Sequence, residues 1–373
     1  MITRVEVTDD AIIPIKAKTK MEKTFDKITG YIQSKGFTFS EDTIKNYYIS
    51  LRTKPFVILT GISGTGKTQI TQLFAQALYG DEKYKSYSKI VPVRPDWNDD
   101  KYLIGFFNPL TKEYHFTPFL EFLLLAGEEP DKPFFICLDE MNLARVEYYF
   151  STFLSAMESN KEIELYSSKD KLNDTIFEIE NKTIELKPII KIPPNLFFVG
   201  TVNMDETTYQ FSPKVLDRAN TIEFNEVNLT QERRYEQNNT EFITEQELTD
   251  LFPFENNKEE YSKWKKDHWQ EIVIDKIQKI QEILKTKNLH FGYRIRDEIL
   301  KYMFYSRELL NFETAFDFQV MQKILPRIKG TNQIKELLEQ LKELFKEWEL
   351  HKSINKIEEM EERLKDEGYT SFF

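Results

Sequence analysis

Apolar residues follow two different periods along this chain, and the change of period divides it. From Phe56 to Asn203, short apolar runs alternate with stretches whose apolar residues recur every three or four positions. FVIL, starting at Phe56, is a short β-branched run between Pro55 and a glycine-rich loop, and ITQLFAQAL beyond the loop has helical spacing. The segment therefore predicts strand, loop, helix. KIVPVRPDW predicts a second strand, GFFNPLTKEYHFTPF a small hairpin about its Asn-Pro-Leu-Thr turn, and TPFLEFLLLA a helix. PFFICLDE is apolar without a break, as a strand buried on both faces of a parallel sheet must be. Residues 142–159 predict a helix, 160–194 alternate like a β-hairpin insertion, and NLFFVGTVN predicts another buried strand. Upstream, residues 3–39 are mixed and polar, and SEDTIKNYYISL opens on a capping Ser40 and predicts a helix into the first strand.

After about Asn225 the strand signals stop. Residues 230–373 predict helices, including 331–350, where Ile334, Leu337, Leu338, Leu341, Leu344, Phe345 and Trp348 share one face. That face is too short for a coiled coil, which needs about three or four heptads, and suits a lid packed on the same chain. Strands alternating with helices imply an α/β fold with a parallel sheet between helical layers. The expected division is an N-terminal extension over 1–40, an α/β core over 41–228 and an all-helical lid subdomain over 229–373.

Composition narrows the class. With 373 residues, 40% hydrophobic and 14% aromatic, the chain can bury a sizeable core. No stretch approaches the roughly 18 apolar residues of a membrane span, and MITRVEVTDDAII lacks the pattern of a secretory signal, so the expected compartment is the cytoplasm, with no membrane partner. One cysteine, Cys137, and four histidines without zinc-ligand spacing argue against a structural metal. A net charge of −11 disfavours a free-standing DNA binder, although a ring can gather basic residues in its pore.

The chemistry is concentrated in a few short motifs. Gly61-Ile-Ser-Gly-Thr-Gly-Lys67-Thr68 satisfies G-x-x-x-x-G-K-[ST] between a predicted strand and helix. Such a loop turns backbone N–H groups towards phosphates at a helix N-terminus, with the lysine on the β- and γ-phosphates and the threonine hydroxyl on Mg2+. The expected nucleotide-binding residues are Gly61, Ser63, Gly64, Thr65, Gly66, Lys67, Thr68 and Gln69. Asp139-Glu140 ends the apolar strand: Asp139, with Thr68, is the metal candidate, and Glu140 the candidate base for the attacking water. Asn142 and Arg145 follow closely, Asn142 either touching the site or capping a helix. Asn203 ends a third strand, and Arg218 lies beyond it in SPKVLDRA. A polar residue on the strand between the phosphate loop and the water, then an arginine after a helix, is the AAA+ arrangement of a sensor and a finger that reaches a neighbouring subunit. The plainer reading of Arg218 is an ion pair with Asp217. In FGYRIRDEIL, Arg294 or Arg296 could meet the γ-phosphate from the lid, with Arg294 preferred.

From about Asp42 onward the chain resembles the AAA+ NTPases of McrB type, motor subunits of methylcytosine-dependent restriction systems. The resemblance rests on LTGISGTGKT, VRPDWNDDKYLIGFFNPL, FFICLDEMN, GTVNMDETTYQFSPKVLDRA and the closing KIEEMEERLKDEGYTSFF. It implies an AAA+ P-loop core, GTP or ATP as substrate with Mg2+, a hexameric ring, a nuclease subunit of McrC type as partner, and action on DNA through the assembled complex. The chain departs from the family's M-N-x-x-D-[RK] signature, reading Val202-Asn203-Met204-Asp205-Glu206-Thr207; the asparagine and nearby acids that remain imply a slight preference for GTP. About 40 residues precede the core, so target recognition is expected to come from elsewhere. Glu185-Leu186-Lys187 fits a nuclease E-x-K pattern, but so acidic and basic a chain contains such triplets by chance. The competing class is a MoxR-type AAA+ chaperone, which remodels protein partners by similar ring chemistry.

Overall fold

The computed structural model describes residues 18–159, 161–204, 209, 211–225, 241–254, 261 and 268–372. Its centre is a parallel five-stranded sheet of β1 (Phe56–Gly61), β2 (Ser88–Pro92), β3 (Phe134–Asp139), β4 (Leu196–Asn203) and β5 (Asn220–Glu223), in the order β5-β1-β4-β3-β2. Parallel pairing brings the C-terminal ends of the strands to one edge: Gly61 pairs with Asn203, and Gly200 with Leu138 just before Asp139. Ligands of open parallel sheets bind at that edge.

Because side chains alternate along a strand, each central strand feeds two cores. Val57, Leu59, Phe135, Phe197 and Val199 enter one core, while Phe56, Ile58, Phe134, Ile136, Leu138, Leu196 and Phe198 enter the other. The first is covered by α1 (Lys20–Ser34), α2 (Glu41–Thr53), α3 (Lys67–Lys83) and the C-terminal helices; the second by helix Pro118–Glu128 and the chain that follows β3. Both expected hairpins are present, pairing Phe106–Asn108 with Glu113–His115 and Ile176–Ile179 with Lys182–Glu185. The apolar face of helix Lys335–Glu347 buries Leu337, Leu338, Leu341 and Phe345 in the first core, so it packs on its own chain.

Four features differ from the sequence expectation. The polar N-terminal stretch contains α1, opened by a capping box of Thr19 and Glu22; its apolar residues Phe25, Ile28, Tyr31 and Ile32 lie at helical spacing among many charges. Residues 142–159 form a short 3-10 turn at Met141–Leu143 and helices Val146–Tyr149 and Ser151–Ser159 rather than one helix. Strand β5 has no signal in the sequence, being four residues whose identity as a strand comes from lying beside β1. The C-terminal region is not all-helical, since Lys329–Thr331 pairs with Tyr369–Ser371.

A buried charge cluster ties that region to the sheet. Glu298 accepts from Lys54, at the entry to β1, at 2.5 Å and pairs with Lys323 at 2.8 Å; Lys54 also donates to the Asp217 carbonyl and Lys323 to the Ala219 carbonyl. Burial, and then Lys323 beside it, pushes the Lys54 ammonium down to about 7. Glu298→Gln removes their counter-charge and should cost roughly 3 kcal/mol of stability, because breaking a buried ion pair from one side leaves uncompensated charge. Urea unfolding of both proteins at pH 7 measures it, and a loss within about 0.5 kcal/mol of zero, the range of ordinary surface changes, would contradict it.

Candidate active site

The phosphate loop spans the turn from β1 into α3, and its glycines meet real spatial demands. At Gly61, φ is 148° and an added Cβ would stand 2.4 Å from the Phe224 carbonyl oxygen; at Gly66, φ is 92° and a Cβ would stand 2.8 Å from the Phe39 ring. No L side chain suits either position. Lys67 opens α3, is 4% exposed, and its ammonium donates to the carbonyls of Gly61 at 2.9 Å and Ile62 at 2.6 Å. The lysine thus lies over its own loop. Phosphate oxygens are stronger partners for an ammonium than neutral carbonyls are.

Around the strand ends the predicted polar residues form one connected set. The hydroxyls of Thr68 and Thr201 each donate to Asp139 Oδ1 at 2.6 Å. The Glu140 backbone N–H donates to Thr201 Oγ1 at 2.9 Å, and Asn203 Nδ2 donates to Glu140 Oε1 at 3.2 Å. Asn142, 4% exposed, donates from Nδ2 to the Asn203 carbonyl at 3.3 Å. Glu140 itself has φ 53°, a left-handed conformation that costs a residue with a Cβ about 1–2 kcal/mol. Its backbone is held there from Thr201 and its carboxylate is aimed by Asn203, so the strain positions the side chain. Thr201 is the residue that reading the sequence missed. Its signal was available, since it lies two positions before Asn203 and therefore on the same face of β4.

The set matches a hard divalent cation: Thr68 Oγ1 and Asp139 Oδ1 are adjacent oxygen donors, the donor type Mg2+ takes. Ser63, Gly64 and Thr65 line the turn ahead of Lys67, with the Thr65 hydroxyl donating to the Ile62 carbonyl at 3.1 Å, and Gln69 sits in the first turn of α3.

The arginines are placed differently from the simplest expectation. Arg218 is 8% exposed; Nε donates to the Leu154 carbonyl at 2.9 Å, Nη1 to the Lys214 carbonyl at 2.6 Å, and Nη2 pairs with Glu158. Its neighbour Asp217 pairs with Arg327 instead. Burial, and then the positive charge of Arg294, pull the Arg218 guanidinium below its usual value. Arg294 donates to the other oxygen of the same Glu158 at 2.5 Å, whereas Arg296 pairs with Asp297 beside it. Two candidates from distant parts of the sequence therefore share one carboxylate. Arg145 lies over the Tyr148 and Tyr209 rings. The acids of the Asp205–Thr207 frame lie outside the described residues.

A phosphate loop on β1, a carboxylate pair ending β3 and a polar strand β4 between them, on a sheet ordered β5-β1-β4-β3-β2, define a P-loop nucleoside triphosphatase fold of AAA+ type. A family described as a domain of unknown function (DUF8727) matches residues 240–369. No curated protein matches the chain closely enough to count as a relative. Among solved structures, a protein from Cytophaga hutchinsonii provisionally described as an ATPase is 16% identical, with a TM-score of 0.49 over 83% of this chain and 88% of that one. At that level the likeness supports no functional argument.

Proposed function

We propose that the chain is a Mg2+-dependent nucleoside triphosphatase of McrB type, working as a ring, expected to be hexameric, with a nuclease subunit of McrC type on DNA. One observation carries the hydrolytic part: the continuous contact set from Thr68 through Asp139 and Thr201 to Glu140 and Asn203. Loop amides from Ser63 to Thr68 hold the phosphates, and Lys67 exchanges loop carbonyls for phosphate oxygens. Thr68 and Asp139 would hold Mg2+, which when bound neutralises charge on the phosphates. Glu140 takes a proton from the attacking water, and Asn203 keeps its carboxylate turned to that water. Arg218 or Arg294, once released from Glu158, supplies positive charge at a γ-phosphate.

The restriction partnership rests on the resemblance of LTGISGTGKT, FFICLDEMN and SPKVLDRA to that family, and both GTP and ATP are expected substrates, with GTP favoured. Turnover of each nucleotide should require Mg2+, rise with protein concentration as rings form, and disappear with EDTA. Adding linear DNA and a nuclease subunit of McrC type should stimulate it. Turnover that persists in EDTA would remove the metal assignment. Turnover indifferent to DNA and nuclease would remove the restriction role and leave the MoxR-type reading.

A further inference from the structure

A cavity of about 910 Å³ adjoins the phosphate loop. Its walls come from Phe37 and Phe39 ahead of α2, from Gly64 and Gly66 of the loop, and from Phe318 and Lys356 of the C-terminal region. If the loop holds the phosphates of a nucleotide, the nucleoside occupies this adjoining space, so any role of the cavity in base choice rests on the nucleotide reading. Phe37 and Phe39 are stacked, with centroids 5.9 Å apart, and Phe39 meets Phe224 edge-on. Aromatic walls accept any base, because every base has a π-face. Choosing among bases needs a polar group.

Asn46 of α2 supplies one. It lines the cavity and yet is 2% exposed. Its Oδ1 is engaged by the protein: the Tyr302 hydroxyl donates to it at 2.6 Å, Gln322 Nε2 donates at 2.6 Å, and the Ser50 hydroxyl lies 3.3 Å away. Gln322 is itself fixed, its Oε1 accepting from Gln319 Nε2 at 3.1 Å. These donors set the orientation of the Asn46 amide. With the oxygen taken by these donors, Nδ2, which makes no hydrogen bond among the described residues, is the polar group Asn46 has left for the cavity. Asn203, where the sequence suggested base choice, is occupied with Glu140 instead.

We infer that Asn46 is the residue that discriminates between bases, its Nδ2–H donating to the oxygen of a 6-oxopurine and opposing the exocyclic amine of a 6-aminopurine. Where a bound base excludes water from this contact, two donors facing each other both go unpaired, a mismatch of the kind that separates analogues by about tenfold or more. Competition against a fluorescent nucleotide on the wild-type protein tests this with GTP, ITP, ATP and 2-aminopurine riboside triphosphate. GTP and ITP share the 6-oxo group and should bind within about threefold of one another and about tenfold or more tighter than the other two. Asn46→Asp keeps the shape and the three internal donors but turns an acceptor to the cavity. It should weaken GTP and ITP by about tenfold and bind ATP at least as well as wild type does.

ATP binding as tightly as GTP, or ITP falling to the level of ATP, overturns the inference and leaves the phosphate site standing. An Asn46→Asp protein that folds and keeps the wild-type order of affinities overturns it equally. A folded wild-type protein that binds none of the four overturns the nucleotide reading as well. If Asn46→Asp is too unstable to assay, the wild-type panel decides alone.

Discussion

Glu140→Gln should bind nucleotide with Mg2+ as the wild type does and hydrolyse it at least ~100-fold more slowly, the usual scale for loss of a general base. The structure makes this substitution clean. The amide that replaces the carboxylate can still accept from Asn203 through its carbonyl oxygen, and the backbone contact to Thr201 does not involve the side chain. Asp139 keeps both hydroxyl partners. Lys67→Ala should fail at the earlier step, losing binding itself. Equilibrium binding and single-turnover hydrolysis separate the two defects. Turnover by Glu140→Gln within a few fold of wild type would show that another group activates the water.

A second large effect is expected at the subunit interface. If Arg218 supplies charge to the neighbouring site, Arg218→Ala binds nucleotide and hydrolyses almost none. Mixed with Lys67→Ala, it should recover part of the activity, because some interfaces then join an intact pocket to an intact arginine. Recovery should rise with protein concentration and fall when either variant is in large excess. The buried position of Arg218 adds a condition: the guanidinium must first leave Glu158 and the carbonyls of Leu154 and Lys214. Arg218→Ala also gives up those contacts, at about 1–3 kcal/mol, so its melting temperature must be measured beside its activity. A folded Arg218→Ala with full activity, or mixed rings that stay inactive, would make Arg218 structural and shift the role to Arg294, which shares its carboxylate, or to Arg145.

What the sequence determined by itself is local. The phosphate loop is legible because glycines, lysine and threonine at fixed spacing serve one backbone conformation, and β1, β3 and β4 are legible because burial on both faces leaves unbroken apolar runs. Asp139, Glu140 and Asn203 stand out because each closes such a run. The chain's other decisions are made between distant segments. Four residues at Asn220–Glu223 become a strand only beside β1, and Tyr369–Ser371 only beside Lys329–Thr331. Thr201 acquires its role from the parallel register that sets β4 next to β3, and Glu158 from the packing that brings Arg218 and Arg294 to one carboxylate. Asn46 looks in sequence like an ordinary polar residue within a helix. It becomes a group facing the phosphate-side cavity because Tyr302 and Gln322, more than two hundred residues away, claim its oxygen. A hydrogen-bond partner at that separation leaves no periodicity or spacing in the chain, so the folded structure alone could decide it.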